Sequence, residues 1–201
     1  EMNILGLDEN RVDVFQPATN LNTKECSRIE RYLNATRSTL LFAKGVILVE
    51  GEAELILIPT LVKKVLGISL DELGISLISM DSAFFEHISN LFHLDRIRKN
   101  CAIITDLDKS IAKLPANEAD FDDYLRSCFN SQESGKIRKQ KLDEHINGND
   151  YVEAFYANHT FEVDFLSAEN SIELVESLKS IYTSQAHIDK STALREHSDV
   201  S

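Results

Sequence analysis

Short, continuous apolar runs alternate with amphipathic stretches through the middle of the chain. Val46-Ile47-Leu48-Val49 is apolar throughout, as a strand buried on both faces of a parallel sheet requires. Gly51 breaks that run, and a helix is expected from about Glu52 to Val65, with Pro59 inside it to kink it or remove one hydrogen bond. Ile75 to Met80 reads as a second strand, followed by a helix carrying Phe84, Phe85, Ile88, Leu91 and Phe92. Cys101 to Thr105 is a third strand and residues 151–156 a fourth. Polar helices are expected over about 117–129 and 136–147, separated by a loop from Ser131 to Gly135. Two more are expected in the tail, near 169–182 and 187–197.

The start of the chain is less regular. Val12, Val14 and Phe15 suggest a short strand before Pro17, and Ile29, Tyr32, Leu33 and Leu40 fall on one face of a helix over about 23–42. Thr23 is the expected N-cap, with Cys26 standing where a capping box would place Glu. The chain thus divides into a lead-in over residues 1–43 and a main domain over 44–201. Strand, helix, strand, helix, strand describes a doubly wound α/β layer with a mostly parallel sheet. Ligands of such sheets gather outside the carboxyl ends of the strands, so the residues that follow each strand carry the chemistry.

Those residues are acidic. Glu50 ends the first strand, and Glu54 follows one helical turn later in Glu50-Gly51-Glu52-Ala53-Glu54. Asp106-Leu107-Asp108 ends the third strand, where alternation in an extended segment would throw both aspartates to one side. Each cluster has a purely structural reading: acids favour helix N-termini, and aspartates cap turns. Together, at the ends of buried strands in one α/β unit, they would repel one another unless cations lay between them, and hard divalent ions prefer oxygen ligands. Four such carboxylates suit two ions in a phosphoryl-transfer site.

The run from Arg31 to Arg37, the segment Leu41 to Gly51 and the Glu50-Gly51-x-x-Glu54 signature resemble the entry to the Toprim domain of OLD-family (overcoming lysogenisation defect) nucleases. The family's DxD matches Asp106 and Asp108, preceded by Thr105. Its late glutamate matches Glu162 in Thr160-Phe161-Glu162, and its late lysine matches Lys190 at a helix start. The resemblance covers roughly residues 28–196. It implies a Rossmann-like Toprim fold with extra C-terminal helices and a cytoplasmic, metal-dependent DNA endonuclease. Glu50, Glu54, Asp106, Asp108 and Glu162 would hold two Mg2+ or Mn2+ ions, with the Thr105 oxygen nearby and Lys190 neutralising charge on the phosphate. Lys109 competes for the role of that lysine. It further implies DNA as substrate, an N-terminal ABC-type ATPase in the same longer chain or as a separate subunit, an oligomeric assembly and work in anti-phage defence of the Gabija or retron-associated kind. The chain itself has no GxxxxGK[ST] phosphate loop and is expected to be the nuclease part of something longer.

Composition qualifies this picture. No apolar run approaches the roughly 20 residues of a membrane span. Cys26, Cys101 and Cys128 lack CxxC spacing, which fits a reducing compartment and argues against a zinc knuckle. The net charge of −12 is unusual for a DNA binder and places the grip on DNA elsewhere than in this domain. Lys136-Ile137-Arg138-Lys139-Gln140-Lys141 is the only basic cluster, a DNA contact or simply a charged helix face. Asp81 either joins the acidic crevice or caps a helix before Ser82. His87, His93 and His159 are expected to be surface or loop residues.

Two rival readings remain. In a phosphatase of the haloacid dehalogenase type, Asp106 would be the nucleophile and Asp108 the acid, leaving Glu50 and Glu54 without a purpose. In a regulatory Toprim module the acidic set would bind without cutting.

Overall fold

The computed structural model describes residues 3–8, 11–33, 37–80 and 85–181. Its centre is a four-stranded sheet built from the apolar runs: β3 (Gly45–Val49), β4 (Ile75–Ser79), β5 (Asn100–Asp106) and β6 (Val152–Ala157). The order is β4-β3-β5-β6, and each neighbouring pair is parallel. β3 and β5 are therefore the central strands. Val46, Leu48 and Val49 on β3, and Cys101, Ile103 and Thr105 on β5, are buried.

The connections are helical, as parallel pairing demands. α2 (Glu52–Leu66) follows β3, and the single-turn α3 (Leu70–Leu73) leads into β4; both pack along β4. α4 (Phe85–Ser89) follows β4, and α5 (Asp123–Ile146) runs from the loop after β5 back along β6. After β6 come α6 (Phe161–Phe165), an irregular turn and α7 (Ser171–Ile181). Leu40, Leu48, Met80, Phe85, Ile88, Phe92, Ile103 and Leu142 belong to one core. Burying each such side chain contributes about 1.5–3 kcal/mol.

Four details depart from the sequence reading. The N-terminal strand is half of an antiparallel hairpin, β1 (Ile4–Asp8) with β2 (Arg11–Phe15), whose Ile4 and Phe15 reach the core. The helix expected over 23–42 is shorter: α1 (Thr23–Tyr32) stops, and a 3-10 turn occupies Arg37–Leu41. Its cap is Asn22 rather than Thr23. The Asn22 side chain accepts from the Glu25 N–H, and the Glu25 carboxylate accepts from the Asn22 N–H, a complete capping box one residue earlier. Finally, the two polar helices expected around a loop at 131–135 are a single 24-residue helix, α5. The reason is tertiary: Gly135 lies inside α5 because the helix presses there against the backbone of Leu107, where a Cβ would stand 2.1 Å from the Leu107 carbonyl oxygen. The second tail helix, near 187–197, lies outside the described residues. None of the described helices is long and apolar enough to cross a membrane.

Candidate metal centre

The strand ends bring the two acidic clusters together. β3 and β5 pair in register with Val49 opposite Ile104, so Glu50 emerges beside Thr105 and Asp106. The Thr105 hydroxyl, fully buried, donates to Glu50 Oε2 at 2.7 Å, and the Asp106 N–H approaches the same oxygen at 3.5 Å. Thr105 therefore orients Glu50. Glu54, in the first turn of α2, is buried at 5% exposure, and its charge acts on Asp106.

The DxD segment is not a simple alternating strand. β5 ends at Asp106, and Asp108 takes the left-handed conformation at φ 52°. The ladder to β6 nevertheless continues: the Leu107 N–H donates to the Ala157 carbonyl at 2.9 Å and the Lys109 N–H to the Asn158 carbonyl at 3.0 Å. The Lys109 ammonium donates to Asn158 Oδ1 at 2.6 Å, which ties this lysine to the loop after β6. Asp106 Oδ2 accepts from the Phe161 N–H at 3.0 Å, so α6 starts against the crevice. Glu162 is the next residue in that helix and is exposed. Asp81 and Lys190 lie outside the described residues.

The crevice also holds a cation that the sequence reading left in a surface cluster. Arg138 turns inward from α5. Its Nη1 stands 3.3 Å from Glu50 Oε1, and its Nη2 donates to Asp108 Oδ2 at 2.9 Å and to the Asp106 carbonyl at 2.5 Å. Its Nε is buried and, among the described residues, meets no acceptor. Lys136 and Lys139 of the same run pair with Glu133 and Asp143 on the helix surface. The signal was legible in principle. Gln132, Gly135 and Arg138 recur at every third position, one stripe of a helix. Each meets the DxD segment: Gln132 Oε1 accepts from the Ser110 N–H at 3.2 Å, Gly135 abuts Leu107, and Arg138 forks the carboxylates.

Burial pushes the Asp106 carboxyl up to about 7, and the charges of Glu50, Glu54 and Asp108 push the same way, against the Phe161 N–H. Such an all-oxygen set, with negative charge in excess of the one guanidinium, fits a hard divalent cation. As they stand, no three His, Cys, Asp or Glu side chains among the described residues are grouped closely enough to chelate an ion. The carboxylates would have to close on it.

The raised Asp106 value has a measurable consequence. An ordinary value of 3.8 in the unfolded chain and about 7 in the folded one means a stabilising contribution that is complete at low pH and lost as pH rises through 7. In EDTA, the melting temperature is expected to be a few degrees higher at about pH 5.5 than at about pH 8, a modest figure because the half-buried side chain is screened by solvent. Asp106→Asn should flatten that difference. A profile unchanged in the variant would assign the titration to another group.

The four-stranded parallel sheet carries acidic residues at the ends of its two central strands. Residues 41–108 match the family model described as overcoming lysogenization defect protein-like, TOPRIM domain. Among solved structures, the C-terminal region of the Xanthomonas campestris pv. campestris OLD protein phased with platinum is similar, at 19% identity and a TM-score of 0.50, covering 77% of this chain and 70% of that one. The iodine-phased structure of the same region aligns at 18% identity and a TM-score of 0.50, covering 76% and 70%. The C-terminal region of the Burkholderia pseudomallei OLD protein aligns at 23% identity and a TM-score of 0.49, covering 76% and 73%. At these identities the Xanthomonas likeness speaks for the fold. No curated protein matches the chain.

Proposed function

We propose that this chain is a divalent-metal-dependent DNA endonuclease or nickase, the nuclease part of an OLD-family protein acting in anti-phage defence. The observation that carries the reading is the placement of Glu50, Glu54, Asp106 and Asp108 at the ends of adjacent central strands, where burial raises Asp106 to about 7 and the charges of the other three push the same way. A structural role would not need four mutually repelling acids in one crevice. In this reading these residues, joined by Glu162 from α6, hold two Mg2+ or Mn2+ ions. When bound, the ions would supply a nucleophilic water at neutral pH and charge stabilisation for the leaving oxygen. Thr105 fixes the Glu50 carboxylate, and the Phe161 N–H fixes that of Asp106. Lys190 neutralises charge on the phosphate, a role for which Lys109, already bound to Asn158, is less free.

In this reading the substrate strand reaches the site along α5. A polar cleft of about 490 Å3 opens beside Asp108 along the first half of α5, lined by Asp123 and by Arg126, Ser127, Asn130, Ser131 and Ser134, whose donors suit a sugar-phosphate backbone. The net charge of −12 supports a division of labour in which most of the DNA affinity comes from a partner, in this reading an N-terminal ATPase of the same chain or a separate subunit within an oligomer in the cytoplasm.

Incubation with supercoiled plasmid and with linear duplex, in Mg2+, Mn2+ or EDTA, tests the reading. Nicking that requires metal and disappears in EDTA is expected. Full activity in EDTA would end the metal-nuclease reading, and hydrolysis of p-nitrophenyl phosphate without nicking would favour the aspartate-nucleophile phosphatase.

A further inference from the structure

Arg138 presents a physical problem inside the proposed metal centre. Its guanidinium spans Glu50 and Asp108, one carboxylate from each acidic cluster, with side-chain exposures of 17%, 27% and 26% respectively. A planar fork that bridges two carboxylates in this way neutralises them as a metal ion would, and with directional bonds. It is also costly to place: burying Nε with no acceptor loses a hydrogen bond to water. The helix that delivers it is held hard against the DxD segment, since Gly135 leaves no room for a side chain at Leu107. The arginine is thus aimed at the carboxylates by the backbone and is no stray surface cation.

We propose that Arg138 is a resident cation of the crevice that competes with divalent metal for Glu50 and Asp108, so that metal loading is a displacement. The inference rests on the metal-centre reading above. Carboxylates engaged by the guanidinium are not free to ligate, so apparent metal affinity falls by the fraction of molecules in which they are released. A divalent ion held by these carboxylates would repel the guanidinium. Arg138 then turns away from the ion, and the polar cleft bordered by Asp108 and Ser134 is the adjoining space. The arginine keeps the four acids together until an ion arrives and sets a threshold concentration for its arrival.

Calorimetric titration of Mn2+ into the wild-type chain, Arg138→Met and Arg138→Lys, paired with melting curves in EDTA and in Mn2+, tests this. Arg138→Met keeps the apolar stem and removes the charge. It is expected to melt lower in EDTA, to bind Mn2+ about 10-fold more tightly or better, and to gain more melting temperature from Mn2+ than the wild type. Arg138→Lys, whose single ammonium cannot fork two carboxylates, should fall between them. It carries the test alone if far-UV circular dichroism shows that the Met variant does not fold. If the wild type binds Mn2+ and the variants bind it equally or more weakly, Arg138 organises the ligands and does not contest them; the proposal then falls while the nuclease reading stands. If no form binds Mn2+ at millimolar concentration, both fall.

Discussion

Asp106→Asn is expected to abolish metal-dependent nicking and, in EDTA near pH 8, to raise the melting temperature. The two effects have one cause. The carboxylate sits half-buried among Glu50, Glu54 and Asp108, which is unfavourable enough to raise it to about 7. Asparagine keeps an oxygen for the Phe161 N–H, now 3.0 Å from Oδ2, and removes the charge that the neighbours oppose. A stabilisation of about 1–2 kcal/mol follows after allowance for solvent screening, or a few degrees in a chain of this size. Activity goes the other way. A ligand carboxylate contributes several kcal/mol to holding and charging the metal centre, so turnover should fall by on the order of 1,000-fold or more. Plasmid nicking and thermal melts of the same preparations check both. A protein more stable and less active marks a site whose charges are kept for function. If Asp106→Asn cuts normally, Asp106 is no ligand; if it melts lower than the wild type, the Phe161 hydrogen bond to a full charge outweighs the repulsion.

Much of this site was legible because its determinants are local. Val46 to Val49, Ile75 to Ser79 and Cys101 to Thr105 are apolar runs too short for helices, and their alternation with helical stretches predicts the parallel sheet. Once the sheet is parallel, Glu50 and Asp106 must lie at the same edge, so the acidic constellation follows from topology. Where the structure departs from the sequence pattern, distant contacts or a local cap decide. Asn22 and Glu25 form a capping box one residue ahead of the Thr23 that the hydrophobic pattern points to. Asn130-Ser131-Gln132-Glu133-Ser134-Gly135 has the composition of a loop, and only contact with Leu107 explains a glycine inside a continuous helix. Only in the continuous helix does Arg138 share a face with Gly135 and point inward; in sequence it is one residue of a basic run. Asp108 departs from strand geometry because β5 has already ended at Asp106, a boundary that hydrophobic pattern does not mark.

Gly135→Ala provides the sharpest test of how α5 and the DxD segment depend on one another, because local and tertiary effects have opposite signs. In an ordinary helix interior, alanine is more favourable than glycine by about 1 kcal/mol. Here the added Cβ would stand 2.1 Å from the Leu107 carbonyl oxygen and 2.6 Å from its carbonyl carbon. Neither atom is the end of a flexible side chain. The Leu107 N–H is bound to the Ala157 carbonyl, and α5 packs along β6, so relief requires moving the helix or the strand end. Overpacking of this kind costs roughly 1–3 kcal/mol, and more where backbone must yield. The variant should therefore melt lower by about 4–10 °C. Ser134→Ala, one residue away on the exposed side of the same helix, should leave the melting temperature unchanged or slightly higher. Moving α5 off Leu107 also displaces the DxD segment and with it Asp108, a proposed metal ligand held in the left-handed conformation. Nicking should accordingly drop well beyond what the unfolded fraction explains, measured at a temperature where the variant is folded by circular dichroism. A Gly135→Ala protein that melts higher, as helix propensity alone requires, would mean that α5 does not brace the DxD segment. In that case the fork from Arg138 to the carboxylates would be a contact that the helix can give up freely.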